Sequence, residues 1–392
     1  MRICSSNKCT GCGACVAACH CSCIKLEEDD WAALHPVIDE ERCIHCSKCL
    51  RVCPATNKPK FRYPIKCYAA WLKDKKTRLK CASGGIGTAI AEHVIKSLEG
   101  VAFGAAYDSE FNVHIVSANA LSDVQMFRGS KYVYSHVSSS TYNEVRSLCE
   151  QSRMVVFLGL PCQIAGLLNY LGRDYACLIT VDLICHGVCP SRYLTDEIES
   201  LRKKHKLGHI SDVRFRGNDG HNFCFTLWDK TGRLLYDGNW WSHNRYLVGF
   251  LSGVSLRENC YICAYARPER VSDLTIGDFI GLGKKIEFNS DSDNVSVVIA
   301  NTQKGHKFYH ELLASDERIE SQERPYLERL EYRASIMEPF ARHPLRKRFR
   351  DLYPKLGYCS SIRKALVWYV FRSRAYGLFT AGIRMLSKIC CK

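Results

Sequence analysis

The chain has 392 residues, enough for two or three domains with buried cores, and a formal net charge of +15. Its hydrophobic (46%) and charged (24%) fractions are those of a globular protein, which excludes a fibrous or disordered chain. Its 24 cysteines are far from ordinary. With no apolar signal-peptide region in Met1 to Lys8, they read as metal ligands in a reducing compartment, and the cytoplasm is the expected location.

The first stretch with a chemistry of its own is Cys9 to Cys53. Cys9, Cys12, Cys15 and Cys19 run C-x2-C-x2-C-x3-C, and Cys43, Cys46, Cys49 and Cys53 repeat that spacing. In such runs three thiolates wrap one cubane and the fourth crosses to the other. Cys9, Cys12, Cys15 and Cys53 are therefore assigned to one 4Fe–4S cluster, and Cys43, Cys46, Cys49 and Cys19 to a second. A zinc site would need one tetrahedral set, usually two separated pairs. A disulfide knot would need an oxidising compartment. Cys21 and Cys23 crowd the same turn as Cys19, and either could replace it; the alternative is that both are small buried hydrophobes. The stretch resembles the bacterial two-cluster ferredoxin module, with His20 where the first run usually carries proline.

A short linker with two prolines and three basic residues, Asn57 to Pro64, leads into Cys67 to Leu72, which reads as a strand. Lys73 to Lys80 reads as a basic turn. Ser83-Gly84-Gly85-Ile86-Gly87-Thr88 then opens a helix over Ala89 to Leu98. A glycine-rich turn at a helix start is a ready phosphate site, though such turns are commonly only turns. Strands are predicted at Val101 to Ala106 and Val113 to Ala118, and Gly129 to Val133 reads as an exposed turn with a solvated Lys131, the alternative being that Lys131 and Tyr132 hold an anion and a ring face. Tyr142 to Glu150 is a predicted helix and Met154 to Leu158 a buried strand ending in Gly159-Leu160-Pro161-Cys162-Gln163. After a helix over Ile164 to Leu171, the strand Leu178 to Ile184 ends in Cys185-His186-Gly187. Two strands thus each deliver a cysteine at their C-terminal ends, the edge where open α/β sheets bind ligands.

Ile210 to Phe215 and Phe223 to Leu227 read as a smaller meander. Trp240, Trp241 and Tyr246 lead to a helix ending near Leu251, and Cys260-x2-Cys263 follows. A lone C-x2-C is ambiguous between a redox pair and half a metal site. Joined to Cys162 and Cys185 it completes a set of four, so a third 4Fe–4S cluster is expected on Cys162, Cys185, Cys260 and Cys263, with Cys189 as a substitute for Cys185. Val295 to Asn301 is a further strand and Lys304 to Ala314 a helix. Residues 341–392 hold thirteen Lys or Arg and one acid, a contribution of +12. Their mixture of basic residues with Leu366, Val367, Trp368, Val370 and Phe371 suits an interfacial helix on an anionic membrane, or equally an acidic protein partner. No base-reading module is present, so nucleic acid is not expected.

From about Lys66 to Leu282 the chain resembles the beta-subunit family of coenzyme F420-reducing hydrogenases and dehydrogenases. The matching residues are Ser83-Gly84-Gly85, Gly129-Ser130-Lys131-Tyr132, Pro161-Cys162-Gln163, Cys185-His186-Gly187, Cys260-Tyr261-Ile262-Cys263 and Leu274-Thr275-Ile276-Gly277-Asp278. The resemblance implies a multidomain α+β and α/β protein. A two-cluster ferredoxin domain would occupy residues 1–58. The N-terminal part of the family domain would follow at 65–145 and its cluster- and flavin-bearing C-terminal part at 146–325, while the basic helical tail expected at 335–392 lies outside the match. It also implies an oxidoreductase with FAD, Ser83, Gly84, Gly85 and Lys131 being the flavin contacts and the four cysteines the flavin-side cluster. The substrate would be coenzyme F420 or another small two-electron molecule, a pigment or an intermediate of cell-surface polysaccharide synthesis included. A redox partner protein, or a hydrogenase or dehydrogenase subunit, would supply or take the electrons. His186 is a candidate proton donor or, more simply, a hydrogen-bonded wall residue. Cys81, Leu160 and Ile280 depart from the family pattern and leave the substrate open. The competing class is a non-catalytic electron-relay subunit that docks a larger enzyme. In that case the tail would do the docking; otherwise removing residues after about 340 is expected to leave iron and flavin content intact and to abolish contact with anionic vesicles, as at the inner face of the membrane.

Overall fold

A computed structural model describes residues 2–216, 223–238, 243–290, 294–333 and 335–390, giving the backbone alone for 370 and 372–390. The N-terminal region is built from two short helices, α1 (Ala14–Ala17) and α2 (Lys48–Val52), and a hairpin of β1 (Ile24–Glu28) with β2 (Leu34–Ile38). The two cysteine runs fold alike. Gly11 and Gly13 have φ of 69° and 82°, and the equivalent His45 and Ser47 have φ of 52° and 60°. Residues with a Cβ pay roughly 1–3 kcal/mol each for that conformation. The second run accepts this cost to bend its backbone around a cavity in the same way as the first.

The body of the chain follows as β3 (Lys66–Leu72), α3 (Lys75–Leu79), α4 (Ile86–Ser97), β4 (Val101–Tyr107), β5 (Val113–Ala118), β6 (Ser135–His136), α5 (Ser139–Glu150), β7 (Val155–Gly159), α6 (Pro161–Leu171), β8 (Leu178–Leu183) and α7 (Ser191–His205). After these come β9 (Asp212–Arg214), β10 (Thr226–Trp228), β11 (Leu234–Asp237), α8 (Arg245–Leu251), β12 (Leu274–Asp278), β13 (Ser296–Ala300), α9 (Gln303–Ser315), β14 (Ile319–Glu323), α10 (Tyr326–Leu330) and α11 (Arg346–Cys390). Nine strands form one mixed sheet in the order β14-β3-β13-β12-β8-β7-β4-β5-β6, and β11-β10-β9 form a small meander. Strands β12, β8, β7 and β4 are mutually parallel, and β3 shares their direction because β13 is antiparallel to both β12 and β3. Their C-terminal ends therefore lie on one edge, which carries the Ser83 loop, Cys162, Cys185 and Asp278.

Two expectations change. The basic stretch 73–80 contains the helix α3, because Asp74 caps it by accepting hydrogen bonds from Lys76 N and Thr77 N. The tail does not begin as a detached element. Phe349, Tyr358, Ile362 and Leu366 of α11 are each at most 2% exposed and pack with Tyr193 of α7 and Tyr246 of α8. The helix breaks at Gly357 (φ 65°), three residues after Pro354. Arg342, Arg346 and Arg350 all pair with Glu258, so part of the tail's positive charge is spent inside the fold. A cut at 340 would remove core, and the dispensable part can begin only after Leu366. Beyond that point Val367, Trp368 and Phe371 are exposed. Trp240, Trp241 and the side chains of Val370, Arg372 and Arg374 lie outside the described residues. Among the described residues no helix is long and apolar enough to cross a membrane.

Candidate iron–sulfur and flavin site

Cysteines line three cavities. The first is bounded by Cys9, Cys12, Cys15 and Cys53, together with Cys4, which the run spacing does not reveal. Cys4 hydrogen-bonds both Cys53 and Cys9, which holds the Cys9 thiol down to about 4 and Cys53 down to about 6, while Cys4 is pushed up. The second is bounded by Cys43, Cys46 and Cys49, with Cys19, Cys21 and Cys23 on the opposing turn. Cys19 and Cys23 lie 3.3 Å apart through their Sγ atoms, so either sulfur could complete a set with Cys43, Cys46 and Cys49. The second cavity is the outer one: Cys46 is exposed, whereas Cys9, Cys12, Cys15 and Cys53 are buried.

The third cavity brings together Cys162, Cys185, Cys260 and Cys263, the four residues that the sequence places more than 20 positions apart in three separate segments. Each arrives by a local device. Cys162 sits in the first turn of α6, which starts at Pro161, and the turn is closed by Leu160 N donating to Gln163 Oε1 (2.8 Å). Gln163 Nε2 is anchored on Ser135 O (2.9 Å). Cys185 follows the end of β8, where Gly187 N donates to its Sγ (3.3 Å). Gly187 has φ of 123°, and a Cβ there would stand 2.8 Å from Leu256, so glycine is required. Cys260 and Cys263 lie on and just after a single 3-10 turn, Glu258–Ile262. Arg270 clamps their loop to the sheet: it donates to Tyr265 O (2.9 Å) and to Asp182 Oδ1 of β8 (2.9 Å). Cys189 is not part of the cavity. It is fully buried behind it, with Sγ 3.2 Å from Ser255 Oγ.

The chemistry of the donor set fits a 4Fe–4S cluster. Burial, and then the charges of Cys263, Cys185 and Cys260, push the Cys162 thiol well above its ordinary value. Burial and then Cys263 push Cys260 up to about 11. Four half-buried thiols, whose charges oppose ionisation at Cys162, Cys185 and Cys260, are soft ligands of the kind that suits an iron–sulfur cluster.

The third cavity adjoins the first. Thr10 lines both, and a Cβ placed on Gly166 of α6 would meet Cys12 Sγ at 2.9 Å. The junction is fixed by buried hydrogen bonds from Tyr134 Oη to Gly11 O (2.5 Å) and from Tyr142 Oη to Cys12 O (2.7 Å).

His186 lines the third cavity beside Cys185, between the rings of Phe250 (4.8 Å) and Phe340 (4.4 Å). Its Nε2 donates to Phe250 O (3.1 Å), which fixes the tautomer and leaves Nδ1 as the basic nitrogen; burial lowers its pKa.

The flavin-contact candidates lie apart from the cysteines. Ser83 Oγ donates to Val295 O (3.2 Å) and Gly84 N to Ser296 Oγ (2.9 Å). A Cβ at Gly84 would stand 2.4 Å from Ala70 O, so this glycine lets the loop lie flat on β3 and β13. Gly85, at φ of 88°, starts α4, whose first N–H groups offer a phosphate its usual partners. Lys131 is not solvated: it is half-buried and donates to Met126 O (2.7 Å) and Arg128 O (2.9 Å), and burial pushes its ammonium down to about 8. The fit to FAD is thus carried by the α4 N-terminus and the glycines, while the side chains of Ser83 and Lys131 are bonded within the chain.

Three family profiles match the sequence. Residues 8–57 match the 4Fe-4S dicluster domain. Residues 67–141 match the N-terminal part, and residues 152–324 the C-terminal part, of the coenzyme F420 hydrogenase/dehydrogenase beta subunit. No curated protein matches significantly. Among solved structures, a chain of the xenon-derivatised F420-reducing NiFe hydrogenase complex from Methanosarcina barkeri aligns at 17% identity and a TM-score of 0.45, covering 70% of this chain and 89% of that one. The two beta-subunit profiles take in nearly all of the nine-stranded sheet and all four cysteines of the third cavity, and the chain belongs to the coenzyme F420 hydrogenase/dehydrogenase beta-subunit family, with a 4Fe–4S dicluster domain in front of it.

Proposed function

We propose that the protein is a flavin-dependent iron–sulfur oxidoreductase. Electrons would enter at the exposed second cavity and reach a two-electron substrate at the C-terminal edge of the sheet. Cys9, Cys12, Cys15 and Cys53 would hold one 4Fe–4S cluster, and Cys43, Cys46, Cys49 and Cys19 another. Cys162, Cys185, Cys260 and Cys263 would hold a third, and Ser83, Gly84, Gly85 and Lys131 would frame FAD. Clusters supply one-electron steps and a flavin couples them to two-electron chemistry, while the protein supplies position and electrostatics. The observation that carries the reading is the continuity of the cavities: Thr10 lines the first and the third cysteine-lined cavities at once, and Gly166 leaves room for Cys12 against α6. His186 would hold a proton at Nδ1 or act as wall. The substrate class supported by the family is coenzyme F420 or a comparable small two-electron molecule, and the family's beta-subunit character supports a partner subunit.

The relay reading draws on one observation: the polar groups of Ser83 and Lys131 already have acceptors within the chain. Anaerobic reconstitution of Cys260→Ser separates the two readings. Under the enzyme reading the native protein binds FAD, and the variant loses about four iron per chain together with reduction of that FAD by the ferredoxin module. FAD that is reduced equally in both would refute the path, and a native protein that binds none would leave the relay.

A further inference from the structure

Between the third cavity and the first lies a buried charge that no carboxylate pairs with among the described residues. Arg257 is 2% exposed. Its hydrogen bonds go to neutral acceptors: Leu34 O (2.9 Å), Cys9 O (3.4 Å) and Asn259 Oδ1 (3.3 Å). Among the described residues its Nη1 is buried with no hydrogen-bond partner. The guanidinium lies over the ring of Tyr134 (4.9 Å), and a Cβ at Gly11 would stand 3.0 Å from its Nη2. Its backbone belongs to the other side of the junction: Arg257 N donates to Val188 O (2.8 Å), and Arg257 O accepts from Cys260 N (3.0 Å). One side chain therefore spans from the Cys9–Gly11 turn of the first cavity to Cys260 of the third.

A buried, unpaired guanidinium is expensive, costing several kcal/mol unless an opposite charge is near. Two other buried arginines of this region meet the rule, Arg270 through Asp182 and Arg346 through Glu258. Among the described residues Arg257 has no such carboxylate, yet it spans two sets of cysteines that would all be thiolates when holding iron. A cubane held by four thiolates carries net negative charge, and reduction adds one more.

We propose that Arg257 is the shared counter-charge of the two inner clusters, a positioning residue that raises the reduction potential of both. The inference rests on the reading of Cys162, Cys185, Cys260 and Cys263 as a cluster site. Net charge and hydrogen bonding around a cluster are principal determinants of its potential. Because the guanidinium lies between the cavities, an electron passing from one to the other stays within the same field, so neither end of the step is penalised. Arginine serves here because its planar fork bonds two carbonyls while lying over Tyr134.

The test is a redox titration, followed by electron paramagnetic resonance, of the full-length, anaerobically reconstituted protein beside Arg257→Gln and Arg257→Lys. With native iron content, Arg257→Gln should lower the reduction equilibrium constant of both inner clusters at least tenfold, about 59 mV for a one-electron couple. The outer cluster should not move, and Arg257→Lys should stay near native. Unchanged potentials in an iron-replete Arg257→Gln would overturn the proposal. Should Arg257→Gln lose iron, retention by Arg257→Lys supports a role for the charge, and equal loss by Arg257→Lys overturns it in favour of a purely structural fork. A native protein with about eight iron per chain would instead remove the third cluster itself, and the bridging role with it; the iron count, made before any titration, keeps that failure distinct.

Discussion

Replacing Arg270 by Met tests how the third cavity is built. Arg270 and Asp182 are 1% and 0% exposed at their side chains and 2.9 Å apart, and among the described residues Asp182 Oδ2 has no hydrogen-bond partner. Removing the arginine leaves a carboxylate buried without a counter-ion, which costs about 3–5 kcal/mol. That is a large part of the roughly 5–15 kcal/mol that holds a domain folded, and it corresponds to about two to three and a half decades in the unfolding constant. The loss falls where it matters, since Arg270 also donates to Tyr265 O just beyond Cys263, and Asp182 lies on β8 just before Cys185. Arg270→Met should therefore lower the urea midpoint and shed about four iron per chain, the content of one cluster. The pair Asp182→Leu with Arg270→Met, which removes both charges, should recover most of the midpoint. The reasoning is refuted if Arg270→Met stays within about 1 kcal/mol of native with full iron, or if the double variant is no better than the single one.

Three further outcomes are expected. A chain ending at residue 340 should fail to fold, because it lacks the buried Phe349, Tyr358 and Ile362, whereas one ending at Val367 should keep its iron and lose binding to anionic vesicles; equal vesicle binding by truncated and full-length protein would sink the membrane contact. Cys19→Ser should keep its second-cavity iron through Cys23, and only Cys19→Ser with Cys23→Ser should lose it; complete loss in the single variant would show that Cys23 cannot substitute. Burial alone would raise the pKa of Glu258, but Arg346 and Arg342 outweigh it and hold the carboxyl below its ordinary range. A carboxyl depressed in the folded state contributes stability above its unfolded value of about 4.3 and loses it as pH falls through the folded value. Glu258→Gln should accordingly lower the denaturation midpoint at neutral pH, with the deficit holding down to about pH 4 and shrinking only below it; a deficit that does not change with pH would contradict the ion-pair account.

Much of this arrangement is written in local spacing. The two four-cysteine runs announce themselves, and the strand ends at Gly159 and Leu183 explain why Cys162 and Cys185 converge, since both strands are parallel and adjacent. Other features have no local signal. Cys4 lies outside any repeat and reaches its cavity only because the chain start folds back beside Cys53. Arg257 reads as one arginine among many until Gly11 and Tyr134 are seen to enclose it. The charge excess of the tail suggests a separate arm, but charge gives no hint that Phe349, Tyr358 and Ile362 fill a core shared with α7 and α8. Helix α7 is a different case. Its buried Tyr193, Leu194, Ile198 and Leu201 recur with helical period, so its signal is present in the sequence although the reading by motifs leaves the segment unassigned.

The central claim is that three sets of four cysteines hold iron in a continuous line through the protein. The most direct measurement is iron and acid-labile sulfide per chain, with the visible spectrum, on full-length protein reconstituted without air. About twelve of each, in a brown protein that bleaches on reduction, is the result expected from three four-iron clusters. A colourless protein, or one that saturates at about eight iron with Cys260→Ser indistinguishable from native, would contradict it.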